Sequence, residues 1–470
     1  MIKLRHLAFI LGPILMFYSA TFCLPAGVAL IYGEPIYLAF LFSAFVTFML
    51  GFSLHYFGVS PGFFRTQMSY FIVVFVWVLV GLLSMIPFII LGIGSWVDCF
   101  FEAFSGLTTT GAEVFSDLDT WPYALRWYHQ QLEFVGGLGI ITVAVVLIAF
   151  TGLESQSLYQ IETKETKLMP RVGSTVRVMF MIYFTLFLFC LLGYYFAGMT
   201  MFESMCEAMT TVSTGGFSIY SDNMAHYQDL FWVGPMACVV MVLSALSYRL
   251  HYYAIIGRSC RVYIQDEENK KYLWFTLSVV VGLVMFAPHD ITWKVIQQFI
   301  SMITTTGYSF DTYLAWPNML LFIFVLVSLV GGCSGSTSGG IRVLRLLSCL
   351  RDGLRCLKQM IHPKAIQNVS INQKSVSEAA LVMFRGFLVF YLISWVALLS
   401  VLLLLGLDWQ TALASLAACL SNTGAALGSL SNGYGLLSPC VKSALVVAMV
   451  VGRVEIMAVY VILLPSYWRS

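Results

Sequence analysis

Apolar residues run through this chain in long, nearly unbroken blocks separated by short polar segments, the pattern of a chain that crosses a bilayer repeatedly. A helix needs about 20 apolar residues to span the hydrocarbon. Runs of that order cover 7–31, 36–57, 70–93, 126–150, 175–197, 229–254, 272–288, 317–350, 381–406 and 437–464. Ten spans are predicted, with 272–288 the shortest and 317–350 too long for one uninterrupted helix. The first run follows the basic start Lys3-Leu4-Arg5. It is too long for a typical signal-peptide core and lacks a small-residue cleavage site, so it reads as a retained helix.

Four segments of intermediate hydrophobicity lie between the later spans: 96–112, 200–217, 292–309 and 408–428. Each is an amphipathic stretch of about ten residues followed by a Thr/Ser/Gly cluster, too short to cross a membrane. They suit re-entrant half-helices, tolerated at membrane depth where protein buries them or where they line a wet cavity. Ser95 with Asp98, and Thr200 with Glu203, have capping-box spacing, and Asp290 and Asp408 stand where the third and fourth should begin. The clusters repeat a hydroxyl or amide residue, then Thr, then Gly: Thr109-Thr110-Gly111, Ser213-Thr214-Gly215, Thr305-Thr306-Gly307 and Asn422-Thr423-Gly424. The unit is span, half-helix, Thr-Gly loop, span, repeated four times after two extra spans.

Composition narrows the class. Of 470 residues, 59% are hydrophobic and 10% charged, against roughly 25% charged in soluble domains. Too few charges remain to coat a core, which excludes a water-soluble globule, a disordered chain and a secreted disulfide scaffold. The eleven cysteines sit mostly in apolar runs without a C-x-x-C pair, so neither a structural disulfide nor a zinc site is expected. The net charge of +2 says nothing about partners; its distribution does. With the N-terminus cytoplasmic, the outer loops hold only Arg126, Lys294 and Lys442. Apart from Arg453 inside the last span, the other basic residues face inward, including the run from Arg342 to Lys364. Acids, from Glu34, Asp98, Glu102, Glu133 and Glu207 to Asp311 and Asp408, fall outside, where a negative mouth would concentrate cations. Topology alone also explains any single one of them.

The four Thr-Gly loops carry the chemistry. A monovalent cation stripped of water needs a ring of oxygens, and backbone carbonyls supply it without a fixed charge that would trap the ion. Glycine adopts the required backbone angles at little steric cost. One such dipeptide would mean only a turn; four in register with four half-helices imply one pore. A second feature, Gly331-Gly332-Cys333-Ser334-Gly335-Ser336-Thr337-Ser338-Gly339-Gly340, interrupts the overlong run. Five glycines in ten residues cannot make a firm helix interior, and non-helical backbone at this depth should line the path. Close helix packing by small residues is the competing explanation. A phosphate-cradling loop is excluded by the missing G-x-x-x-x-G-K-[ST] pattern. Arg453 is a charge at membrane depth, so it should face protein or water. Its i,i+2 spacing to Glu455 is poor for a pair, and a partner on another helix stays open. The histidines form no catalytic constellation, and the chain reads as no enzyme.

On these motifs, together with Phe104-Ser105-Gly106-Leu107-Thr108, Gly216-Phe217-Ser218, Tyr308-Ser309 and Gly452-Arg453-Val454-Glu455, nearly the whole chain resembles the TrkH-type potassium uptake subunits of the Trk/Ktr/HKT superfamily. The resemblance implies an all-α polytopic fold: four pseudo-symmetric repeats (65–155, 156–262, 263–355 with the glycine loop, and 356–470) around one pore, after two extra N-terminal helices in 1–64. It implies K⁺ as the transported ion, bound by the twelve Thr-Gly loop residues above, with 331–340 as an intramembrane gate and Arg453 as a barrier in the pore. It also implies the bacterial inner membrane, a homodimer, and a cytoplasmic TrkA-type ring carrying the nucleotide (NAD or ATP/ADP). No covalently bound cofactor and no nucleic acid is implied. Plant relatives that prefer Na⁺ have Ser for the first filter glycine; here all four are Gly. A Na⁺-conducting or Na⁺-coupled relative is the alternative, and a membrane-embedded enzyme a more distant one.

Overall fold

The computed structural model describes residues 4–60, 66–151, 172–286, 292–311, 318–363, 367–425, 430 and 433–469. It is mostly helical. Among the described residues the β structure is one short antiparallel hairpin, Ser370–Ile371 with Lys374–Ser375. Helices form where the apolar runs predict them. Leu4–Ser19 continues through a 3₁₀ turn into Cys23–Tyr32, and Tyr37–Phe57, Thr66–Ser84, Tyr123–Thr151, Val172–Phe196, Glu267–Phe286 and Glu378–Leu404 follow. Five described helices are long and apolar enough to cross a membrane, or seven if two sharply bent pairs each count as one span. Their outer faces leave Phe17, Ile31, Phe196 and Leu404 79–86% exposed. Apolar side chains bared on this scale belong against lipid, and the molecule is an integral membrane protein.

Three predicted spans are not straight. Residues 229–254 fold as Val233–Ala245 and Tyr248–Gly257, meeting at 99°, and 437–464 as Pro439–Arg453 and Ile456–Leu463, meeting at 109°. The overlong run divides into Asn318–Val330, an irregular stretch through 331–342, and Val343–Ile361. Left-handed backbone at Arg342 (φ 74°) and Glu455 (φ 77°) marks two of these breaks. The break at 331–342 falls where the glycine-rich run interrupts the overlong stretch, whereas apolar content is the same on both sides of the other two corners and could not reveal them.

The four segments expected to be re-entrant are helical: Trp96–Leu107, Met201–Ser213, Thr292–Ile303 and Trp409–Leu420. Their start signals operate as chemistry requires. The Ser95 hydroxyl accepts the Asp98 N–H while the Asp98 carboxylate accepts the Ser95 N–H. Thr200 and Glu203 reciprocate in the same way, and Asp408 accepts the Thr411 N–H at 3.0 Å. Asp290, the expected third cap, lies outside the described residues. The three bases expected on the outer side are all engaged: Lys442 with Asp98 at 2.6 Å, Lys294 with Asp311 at 3.4 Å, and Arg126 with the Trp121 carbonyl at 3.0 Å. The Lys442 pair ties the last broken span to the first half-helix.

Candidate functional site

Each half-helix ends in the same tight reversal. A left-handed residue follows it, Thr109 (φ 48°), Thr214 (φ 53°), Thr305 (φ 56°) and Asn422 (φ 54°), and two positions later comes a left-handed glycine, Gly111, Gly216, Gly307 and Gly424. Between them, the N–H groups of Thr110, Gly215, Thr306 and Thr423 reach back five residues to the carbonyls of Ser105, Thr210, Ser301 and Ala418. This is the six-to-one closure that satisfies helix-end carbonyls. A β-branched residue in left-handed backbone is strained, and three of the four loops hold a threonine there. Hydroxyl pairs stiffen three loops: Thr108 with Thr110 (2.7 Å), Thr304 with Thr306 (2.8 Å) and Ser421 with Thr423 (2.8 Å).

This geometry moves the second loop by one residue. The Thr-Gly dipeptide aligns Ser213-Thr214-Gly215 with Thr109-Thr110-Gly111, whereas the backbone aligns Thr214-Gly215-Gly216. With two consecutive glycines, composition could not say which one carries the left-handed position. The distance from the helix end decides it, and Ser213 instead donates its hydroxyl to the Thr210 carbonyl at 3.0 Å.

The loops close on one another. A Cβ on Gly111 would run into the Gly215 carbonyl oxygen, one on Gly216 into that of Thr306, one on Gly307 into that of Thr423, and one on Gly424 into that of Thr110. First meets second, second third, third fourth, and fourth first. The polar side chains of this ring are almost wholly buried. Asn422 adds a direct clasp, its amide donating to the Thr110 hydroxyl and to the Met449 carbonyl, both at 3.0 Å.

The acids divide in a way the sequence reading did not foresee. Glu102, Glu133 and Glu207 are fully buried, so they do not line an outer mouth. The Glu133 carboxylate accepts the Phe217 N–H (3.2 Å) and fills the space where a Cβ on Gly215 would go. His129 is buried as well, 2.6 Å from Glu102, with its ring stacked on Phe217 at 3.6 Å. Glu102 and Glu207 stand on amphipathic segments and Glu133 inside the span 126–150, and only tertiary contacts show all three turned inward.

Residues 331–340 are non-helical and lie against the ring. Ser338 donates to the Thr304 carbonyl (2.9 Å), and the Gly339 N–H donates to the Thr305 hydroxyl (2.8 Å). The Thr337 hydroxyl donates to the Val212 carbonyl at 3.2 Å, and a Cβ on Gly339 would strike the Ser421 carbonyl. The broken helix 233–257 receives the other side of the loop, for Ala245, whose carbonyl is freed by the corner, accepts the Cys333 N–H at 2.9 Å. Arg453 is 3% exposed and donates from Nη1 to the Thr337 carbonyl at 2.9 Å, which ties the last span to the loop. Glu455 is not its partner; that carboxylate takes both bonds from Arg345, at 2.7 and 2.8 Å. A small cavity beside the loop is lined by Ile140, Gly339, Arg342, Arg345, Gly452 and Arg453, among others.

A lipid-facing exterior around a buried ring of strained polar loops defines an integral membrane protein with a polar centre. The family model described as "TrkH: Cation transport protein" matches residues 38–300 and 284–469. The chain is 31% identical to the Trk system potassium uptake protein TrkH of Escherichia coli (strain K12) over 482 residues, covering 99% of each. It is 33% identical to that of Halomonas elongata over 485 residues, covering 100% of each. The crystal structure of the potassium transporter TrkH from Vibrio parahaemolyticus superposes with a TM-score of 0.92 at 29% identity, covering 100% of both chains. The chain belongs to the TrkH family of cation transport proteins.

Proposed function

We propose that this chain is the pore subunit of a K⁺ uptake system in the bacterial inner membrane, with its N-terminus in the cytoplasm. The observation that carries the reading is the cyclic contact of each loop's glycine with the next loop's carbonyl. Four loops that close in one order leave a common centre, and the carbonyls of Thr110, Gly215, Thr306 and Thr423 border it. A K⁺ ion entering there exchanges water for these oxygens and those of the adjoining loop residues. Each glycine matters because a Cβ in its place would fill the room beside the oxygen. The names of the relatives as potassium uptake proteins support the choice of ion. Four repeats, 65–155, 156–262, 263–355 and 356–470, surround the pore, and 1–64 adds two peripheral helices.

Below the filter the 331–340 loop is the gate and Arg453 its latch. Two unit charges about 5 Å apart repel by roughly 3 kcal/mol at an effective dielectric of 20, so the guanidinium opposes a cation that has passed the filter. Opening requires the loop to release Thr304 and Thr305, with Arg453 withdrawing from Thr337. A homodimer bearing a TrkA-type nucleotide-binding ring on the basic cytoplasmic face would drive that change. The test is flux of K⁺, Rb⁺, Na⁺ and Li⁺ by the purified protein in liposomes. Preferential K⁺ and Rb⁺ flux is expected; preferential Na⁺ flux, or no cation flux, overturns the proposal.

A further inference from the structure

Behind three of the four loops, the half-helix holds the chain that leaves the loop. Glu102 accepts the Val114 N–H at 2.9 Å, Glu207 the Ile219 N–H at 3.2 Å, and Gln298 the Phe310 N–H at 3.3 Å. The three bonds share one register: each acceptor stands twelve residues before its amide. Each also stands seven before the left-handed residue (102 to 109, 207 to 214, 298 to 305). All three side chains are fully buried. Two of them also bind the next loop in the order the glycines follow. Glu102 holds His129, which stacks on Phe217 of the second loop, and Glu207 accepts from Tyr308 of the third at 3.2 Å.

The fourth half-helix has Ser415 in this register. Its hydroxyl donates to the Thr411 and Ala412 carbonyls (2.7 and 3.2 Å) of its own helix. The fourth loop is held by Tyr434 donating to the Gly424 carbonyl at 2.9 Å and by its own Asn422 amide on Thr110, while position 427, twelve residues after Ser415, lies outside the described residues. The third loop, with an amide where the first two have carboxylates, shows that an sp² oxygen of the right reach is the shared feature. Negative charge is not.

We propose that Glu102, Glu207 and Gln298 are positioning residues for ion discrimination: their side-chain oxygens fix the exit strands of three loops and so set the spacing of the ring. The inference rests on the reading of that ring as the ion filter. A cage held at the spacing of a larger ion cannot contract around a smaller one, so loosening a strap should admit Na⁺ before it stops K⁺. Charge is dispensable and the acceptor is not.

The test compares K⁺ with Na⁺ flux in liposomes, each normalised to folded protein, for the wild type, Glu207→Gln, Glu207→Leu and Gln298→Met. Gln298→Met keeps size and removes the acceptor; if Glu207→Leu does not fold, it decides alone. Losing one buried hydrogen bond should lower the K⁺/Na⁺ ratio about fivefold in Gln298→Met and Glu207→Leu, while Glu207→Gln retains the wild-type ratio. A strap that is merely structural would reduce yield and total flux with the ratio unchanged, which overturns the proposal. Loss of discrimination in Glu207→Gln equal to that in Glu207→Leu also overturns it, since charge would then be the requirement. A wild-type protein without selective flux would instead withdraw the filter reading itself.

Discussion

The ring of loops and the layer beneath it are built on opposite plans. Four segments contribute the same backbone turn to the ring, and its parts interlock by steric fit of glycine against carbonyl. Against it lies a single irregular loop with no repeated counterpart among the described residues, fastened by individual hydrogen bonds, Ser338 to Thr304, Arg453 to Thr337 and Cys333 to Ala245, and by one glycine contact, Gly339 on Ser421. Equivalent oxygens around a centre suit a spherical ion and resist distortion, because moving one loop displaces the next. If the loop is the gate, as proposed, its hydrogen bonds to Thr304 and Thr305, each worth about 1 kcal/mol net, can be exchanged while the glycine-to-carbonyl contacts that close the ring stay in place. The upper layer should therefore determine which ion passes, and the lower how many.

Substitutions can break that division. The largest effect is expected from Arg453→Ala, which removes both charge and latch. Cation flux should rise by up to about a hundredfold, from roughly 3 kcal/mol at 1.4 kcal/mol per decade, with Arg453→Lys changing it less. If both lower the folded yield and neither raises flux per folded molecule, Arg453 is structural. Next comes Gly111→Ser, whose Cβ meets the Gly215 carbonyl at φ 74°. It should cost about tenfold in K⁺ over Na⁺ discrimination; an unchanged ratio in correctly inserted protein would remove Gly111 from the filter. Gly339→Ala, which pushes the loop off the Ser421 carbonyl, should raise flux severalfold at constant K⁺/Na⁺ ratio; a changed ratio would join the two layers into one. The smallest effect is expected from Asp408→Ala. Loss of an N-cap costs about 1 kcal/mol and should show as a lower unfolding temperature with the ion ratio intact.

What could be read in advance follows the range of the forces involved. The half-helices were legible because Ser95, Thr200 and Asp408 act on amides three residues away, and the Thr-Gly clusters because their turns are local. The register of the second loop was not, since Gly215 and Gly216 are chemically identical and only the helix end separates them. The corners at 246–247 and 454–455 escaped because apolar content does not register direction. The burial of Glu102, Glu133 and Glu207 depends on partners such as Val114, Phe217 and Ile219, up to 84 residues away, and no local pattern encodes that. For Arg453 the spacing disfavoured Glu455 and left a partner on another helix open, and the structure supplies Thr337, 116 residues distant.

The clasp between Asn422 and Thr110 joins positions 312 residues apart. During synthesis the first loop is made long before its partner, and its contact with the fourth cannot form until the fourth half-helix has been made. Contacts of such separation form late. A nascent chain halted before the fourth half-helix, at residue 408, would hold three quarters of a ring with the Thr110 carbonyl uncovered by Gly424. Conduction should therefore appear in one step near the end of translation.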